Sequence, residues 1–409
     1  FEELLDTRIY LLRFNNGVYD LQANLFRHGQ PEDFLSLTTG INFNPDYTWD
    51  HPDVVETMKF LEMIQPQEEV RLYVLQILAS CLDAHNGQER FYVFYGRGSN
   101  GKSKLVDLFM NSMGNYASTL PITLITGRRA QSNSPTPELA RMKGKRFAVL
   151  NEPSSGDKMD MGIVKDLTGG DRIYARALNS PPIEFKFDAE VFMVCNDKPQ
   201  VDPMDEATWR RVRSILFPVR FCDGPPDVTR KDQYGNRLEY ERDYNLDEKL
   251  QRLTSAFMWV LMKFYRINQE GDPFYQWKSC ARVGLGPGIR EPQQVLEYTN
   301  QYRSENDSIA HFLRRVIIQC AGAFVPLSIM YDLYKFSCRS KNVVVINQNK
   351  FQEYIEYTAG WGPLANVNSC EGWRDRKIPS NLGEIAPEFK TFLERPEMQC
   401  LFTDESSVS

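Results

Sequence analysis

The chain has 409 residues, 42% of them hydrophobic and 25% charged, with a formal net charge of −6. A length of this order predicts two to four domains with real cores. The balance excludes a disordered chain or a generally basic nucleic-acid coat protein, while leaving room for a local basic channel. Eight cysteines stand singly, with no C-x-x-C pair and only four histidines, so a reducing compartment without structural zinc is expected. No uninterrupted apolar stretch approaches ~18 residues, which predicts a soluble protein without a membrane span. The start at Phe1 rather than Met is expected of a piece cut from something longer. No Asp-x-Asp pair occurs, so a polymerase or primase metal centre on that spacing is not expected in this piece.

In chain order, Ile9 to Phe14 is strand-like, and Asn15-Asn16-Gly17 supplies a tight turn, which predicts a hairpin over residues 9–20. Val70, Val74, Ile77, Leu78, Cys81 and Leu82 recur at helical spacing, so residues 52–82 read as a small helical domain. At Phe91-Tyr92-Val93-Phe94-Tyr95 the pattern becomes a buried strand entering a glycine loop. A helix is expected over Lys102 to Met113, and further apolar runs at 146–150, 190–195 and 213–218 alternate with helix-compatible segments, the signature of a covered α/β sheet. Residues 223–240 read as a surface loop and 247–265 as helical. Helices near 308–320, 328–337 and 349–358 then flank a β-branched run, Val343-Val344-Val345-Ile346. That order predicts a winged-helix-like module. The expected domains are 1–88, 89–222, 223–292 and 293–409.

Gly96-Arg97-Gly98-Ser99-Asn100-Gly101-Lys102-Ser103 fits G-x-x-x-x-G-K-[ST]. Such glycines let backbone N–H groups wrap a phosphate, the lysine neutralises phosphate oxygens, and the serine hydroxyl can ligate Mg²⁺. Chance supplies this pattern in roughly 1% of chains this long, and here the flanking strand and helix are also present. Phe147 to Leu150 ends in Asn151-Glu152: Glu152 would orient the attacking water, with Asn151 where many P-loop enzymes place an Asp. Val191 to Cys195 ends at Asn196, a candidate contact to the γ-phosphate. Beyond it, Asp205-Glu206-Ala207-Thr208-Trp209-Arg210-Arg211-Val212-Arg213 offers an arginine for transition-state charge, Arg210 or Arg211, or else a solvated helix face.

Together with Lys165-Asp166-Leu167-Thr168-Gly169-Gly170-Asp171 and Arg176, the order of these motifs resembles superfamily 3 helicases, in particular the poxvirus-type helicase-primases of large cytoplasmic DNA viruses, with phage and plasmid primase-helicases as relatives. Asn16-Gly17-Val18-Tyr19-Asp20-Leu21 is similar to the domain before the ATPase in that subgroup, and residues 331–354 are similar to its C-terminal module. The resemblance implies an AAA+-like α/β core with a helical collar and C-terminal module. It also implies a hexameric homo-oligomer using ATP and Mg²⁺ on single-stranded and fork DNA, a primase domain or subunit and replication proteins as partners, and host cytoplasm as the site of work. Ser103, Asn151 and Glu152 would hold the metal. A hairpin over Arg172 to Leu178 and Ile183 to Phe187 would face DNA with Arg172, Arg176, Asn179, Ser180 and Lys186; Arg339, Lys341 and Lys350 are the alternative basic set. Two rivals stand beside this reading: a loader or initiator with weak hydrolysis, and a small-molecule kinase.

Overall fold

The computed structural model describes residues 4–85, 87–127, 135–154, 157–202, 206–272, 286–340, 345–367, 369–379 and 381–394. Two compact units emerge, Phe1–Tyr302 and Arg303–Ser409. Asp205, Val343, Val344 and Lys341 of the sequence motifs lie outside the described residues.

The first unit opens with the expected hairpin, β1 (Leu11–Phe14) and β2 (Gly17–Asp20), in which Phe14 pairs with Gly17 across Asn15-Asn16. A third strand, β3 (Leu25–Arg27), adds to it. Helices α1 (Pro52–Ile64) and α2 (Glu68–Ser80) follow. Pro52 sits at the first helical turn, where its missing N–H costs nothing, and the His51 side chain caps the Asp53 amide.

Five parallel strands then form the central sheet: β4 (Phe91–Tyr95), β5 (Ala117–Leu120), β6 (Phe147–Leu150), β10 (Glu190–Cys195) and β12 (Val212–Leu216), in the order β12-β4-β10-β6-β5. Each central strand divides its residues between two cores, because side chains alternate faces. Tyr92, Phe94, Phe147, Phe192 and Ile215 join one core with α1, α2, α3 (Lys102–Met113) and α9 (Thr254–Glu270). Phe91, Val93, Leu150, Val191 and Met193 join another with α6 (Met161–Thr168). Phe192 stacks on Tyr92 at 4.7 Å and meets Phe147 at 4.9 Å; truncating so central a ring would cost about 3–5 kcal/mol.

Between β6 and β10 come a short strand β7 (Lys158–Asp160), α6, and an antiparallel hairpin, β8 (Arg172–Ala175) with β9 (Ile183–Lys186). Single-turn helices α4 (Thr123–Thr126), α5 (Pro137–Ala140) and α7 (Glu206–Trp209), and the strand β11 (Gln200–Asp202), complete the connections. Of the 223–240 segment, residues 223–238 form the loop between β13 (Arg220–Cys222) and β14 (Glu239–Glu241), and the helical stretch after it breaks at Leu253 into α8 (Leu246–Arg252) and α9. Helix α10 (Gln293–Asn306) carries the boundary between the two units, at Tyr302.

The second unit runs α11 (Ser308–Val316), β15 (Ile318–Pro326), α12 (Leu327–Ser340), α13 (Gln348–Glu353), β16 (Ala365–Val367) and β17 (Cys370–Lys377), with an antiparallel sheet ordered β15-β17-β16. The expected helix to residue 320 stops at Val316, because the β-branched Ile317-Ile318 pair turns extended. Of the β-branched run, Val345 and Ile346 form no strand; both pack partly buried on this unit's core, and the Ile346 carbonyl accepts from Tyr331 Oη at 2.9 Å.

Candidate active site

The glycine loop leaves β4 at the C-terminal edge of the sheet and feeds α3. Gly96 has φ 149°, and a Cβ there would meet the Phe217 carbonyl at 2.5 Å. Gly101 has φ 83°, and a Cβ there would strike the Ile64 side chain at the end of α1. Both positions therefore demand glycine, one to let the chain just past β12 approach and one to let a helix of the N-terminal region buttress the loop. Arg97, Gly98 and Ser99 are exposed on the crest, while Asn100 and Lys102 are buried beneath it. Asn100 Nδ2 donates to the Phe217 carbonyl at 3.3 Å, tying the loop to the segment that leaves β12.

Strand order explains the rest of the site. Because β10 lies between β4 and β6, and Cys195 is in register with Tyr95, Asn196 emerges level with Gly96 and one strand from Glu152. Lys102 Nζ donates to Asn196 Oδ1 at 2.7 Å and to the Gly96 carbonyl at 3.0 Å. Asn196 in turn donates to Glu152 twice, from its backbone N at 2.7 Å and from Nδ2 at 3.1 Å. Lys102 is only 5% exposed, and burial lowers its pKa against the pull of Glu152. Burial also pushes the Cys195 thiol up to about 12, so it is inert as a nucleophile.

A pocket of about 550 Å³ takes in Gly98, Lys102, Ser103, Asn151, Glu152 and Asn196. Its oxygen donors, the Ser103 hydroxyl, the Asn151 amide and the Glu152 carboxylate, suit a hard divalent cation shared with phosphate oxygens. The glycine cradle and the buried lysine cation suit the phosphate itself.

The two candidate arginines part company. Arg211 is buried, with Nη2 on Glu89 at 3.0 Å and Nη1 on the Ala207 carbonyl at 3.1 Å. Arg210 leaves 61% of its side chain exposed and lies 3.8 Å from Glu89. Both precede β12 at the N-terminal edge of the sheet, so neither joins the pocket; the five-residue strand β4 puts roughly 15 Å or more between them and the glycine loop. Arg213 is buried on Glu291 at 2.6 Å.

The β8–β9 hairpin is likewise apart from the pocket. Arg172 pairs directly across from Lys186, and Tyr174, 64% exposed, from Glu184. Lys186 Nζ bridges to Asp188 at 2.9 Å, and the Arg176 backbone N–H donates to Thr136 Oγ1 at 3.3 Å while its carbonyl accepts from the Thr136 amide at 2.9 Å. Asn179, at φ 57°, and Ser180 form the exposed turn. Tyr174 and Leu178, both exposed, escaped the motif reading. The i, i+2 spacing of Arg172 and Tyr174 was the available signal, since it puts both on one face of the strand. Among the described residues no helix is long and apolar enough to cross a membrane.

Three family models match the chain: "D5 N terminal like" over residues 1–66, a family of unknown function (DUF5906) over 94–211, and "Poxvirus D5 protein-like" over 304–386. A candidate helicase of Acanthamoeba polyphaga mimivirus is 35% identical over 336 residues, covering 81% of this chain and 33% of the relative. A candidate helicase of Invertebrate iridescent virus 6 is 30% identical over 75% of this chain and 32% of its own length. A candidate primase of African swine fever virus is 25% identical over 79% and 32%. The chain thus spans about a third of the length of these relatives. The apo structure of the NrS-1 C-terminal region covers 82% of this chain and 79% of its own at 12% identity, with a TM-score of 0.44.

Proposed function

Because the chain belongs to the viral helicase-primase family, we propose that it is the ATP-hydrolysing motor of a replicative DNA helicase, an AAA+-like engine acting at the subunit interfaces of a hexameric ring. The observation that carries this reading is the hydrogen-bonded line Lys102–Asn196–Glu152 across one pocket.

Lys102 is placed to neutralise β- and γ-phosphate oxygens. Glu152 is the carboxylate to accept a proton from the attacking water, and Asn196, by donating to both its oxygens, sets the direction its lone pairs face. Bound Mg²⁺ would screen phosphate charge, and Ser103, Asn151 and Glu152 are the donors that fit it. Arg210, exposed and the length of a strand away from its own pocket, is the residue to enter a neighbour's; Arg211 is committed to Glu89. The ring reading rests on that separation.

Single-stranded DNA in the pore would meet the β8–β9 hairpin. Like charges directly across a strand pair repel, and Arg172 opposite Lys186 is relieved when a phosphate lies between them. Exposed Tyr174 adds a ring on which a base can stack. The order of elements in the second unit supports a winged-helix-like module, and a primase, replication proteins and fork DNA in host cytoplasm complete the proposal.

The deciding experiment is DNA-stimulated ATP hydrolysis together with strand displacement by the full-length protein. A loader or initiator, favoured by the neutral Asn151 at the end of β6, would bind ATP and DNA without displacing a strand. A small-molecule kinase would show no response to DNA.

A further inference from the structure

Two residues beyond Asn196, the Lys198 ammonium sits between two aromatic rings, 4.6 Å from the centroid of Tyr95 and 4.9 Å from that of Tyr302. Tyr95 is the last residue of β4, immediately before the glycine loop. Tyr302 lies on α10, is 1% exposed, and its hydroxyl donates to the carbonyl of Pro199 at 2.5 Å. The same ring meets Trp209 edge to face at 5.4 Å and 86°. Trp209 is the residue before Arg210. Helix α10 cannot drift away from this junction, because Thr299 Oγ1 accepts from the Ser214 amide of β12 at 3.0 Å, and Glu291, just ahead of the helix, grips Arg213 and Arg90.

A contiguous packed path therefore runs from Asn196 through Lys198 and Pro199 to Tyr302, and on through Trp209 to Arg210. Resting on the site reading above, we propose that Tyr302 is a positioning residue that couples the loop sensing a subunit's own nucleotide to the segment whose arginine serves the next subunit. A shift of Asn196 on gain or loss of the γ-phosphate moves the Lys198–Pro199 turn. Tyr302 holds that turn by one hydrogen bond and one cation–π contact, so its ring presses on Trp209 accordingly. The state of one site then reaches the arginine offered to its neighbour.

The test uses full-length protein doped with increasing fractions of the Lys102→Ala variant. In a coupled ring an inactive subunit silences neighbours, so wild-type ATPase should fall faster than in proportion to doping. Tyr302→Phe keeps the ring but removes the hydroxyl; its activity should fall in proportion to doping, with undoped turnover within about twofold of wild type. Lys198→Met, which keeps chain length but removes the cation, should behave alike and carries the test if the first variant assembles poorly. Doping curves in both variants that superimpose on the wild-type curve overturn the coupling role, as does a proportional wild-type curve. A wild-type protein that hydrolyses no ATP strikes the site reading itself, a separable result.

Discussion

Lys102 and Asn196 are joined by a 2.7 Å hydrogen bond that fixes the amide of Asn196 one way round, Oδ1 toward the ammonium and Nδ2 toward Glu152. Lys102 is buried rather than standing on an exposed loop, and its charge is already disfavoured by desolvation. Lys102→Ala should therefore abolish ATP hydrolysis, by about 10³-fold or more, while thermal stability holds or rises slightly. Turnover near wild type would remove the P-loop assignment; a large loss of melting temperature would mean that the lysine is structural.

Glu152 accepts two donors from Asn196, so Glu152→Gln does more than remove a base. One of the two new amide atoms is itself a donor, and it faces either the Asn196 backbone N–H or Nδ2. If Asn196 flips to relieve this, it turns Nδ2 toward the Lys102 ammonium. Hydrolysis should drop by about 10² or more with ATP binding weakened only modestly. Binding lost outright, measured by nucleotide titration, would make Glu152 chiefly a metal ligand.

The arginines separate by location. Arg210→Ala should be inactive alone; mixed with Lys102→Ala in the Tyr302→Phe background, where an inactive subunit no longer silences its neighbours, it should regain activity, since a mixed interface can pair an intact loop with an intact arginine. Arg211→Ala should instead lower stability by about 1–3 kcal/mol, discounted because Glu89 is 45% exposed, and should gain nothing from mixing. Recovery by Arg211→Ala in the same mixing assay would reverse the assignment.

Glu190, at the start of β10, is fully buried, and its burial outweighs the help it draws from the nearby Ser80 hydroxyl and Cys81 thiol. Burial lifts its pKa to about 8. A carboxyl raised in the folded state keeps a proton that the unfolded chain releases near 4.5, so between those values stability falls as pH rises. The effect is about 1.4 kcal/mol per pH unit. Glu190→Gln should match wild type near pH 4.5 and exceed it by several kcal/mol at pH 8 in denaturant titrations; parallel profiles would place the proton elsewhere.

How much of this was legible follows from distance along the chain. Lys102, Glu152 and Asn196 each end or begin an element whose hydrophobic run is local, so the strand ends could be read without knowing the sheet. Arg210 and Arg211 could not be told apart, because one turn into β12 sends one side chain inward to Glu89 and leaves the other in solvent. Tyr302 was invisible as a site neighbour: it meets Pro199 across 103 positions, a contact that only the packing of α10 creates. In the second unit, Val345 and Ile346 belong to the run with the stronger β signal, yet among the described residues the strands formed at 318–326, 365–367 and 370–377. There, alternation is blurred by Gly322, by Gly372, where a Cβ would collide with the Val325 carbonyl, and by an irregular register between Gln319 and Phe324.

The last prediction concerns DNA. On the outer face of the β8–β9 hairpin, Arg172 stands opposite Lys186 and Tyr174 opposite Glu184, with the Asn179-Ser180 turn beyond. Lys186 already has an anionic partner in Asp188 at 2.9 Å, but Lys186 is half exposed, so that pair contributes little and a phosphate can compete for it. Arg172→Ala and Lys186→Ala should each lower the salt dependence of single-strand binding by about one phosphate contact and cut DNA stimulation. Tyr174→Ala should weaken binding by roughly 1–3 kcal/mol with the salt slope unchanged, because stacking releases no counterions. Basal ATP hydrolysis should survive all three, since none of them lines the nucleotide pocket. The two kinds of loss must separate: an unchanged salt slope in both charge variants would move the phosphate contact away from this hairpin, toward Arg339 and Lys350 of the second unit.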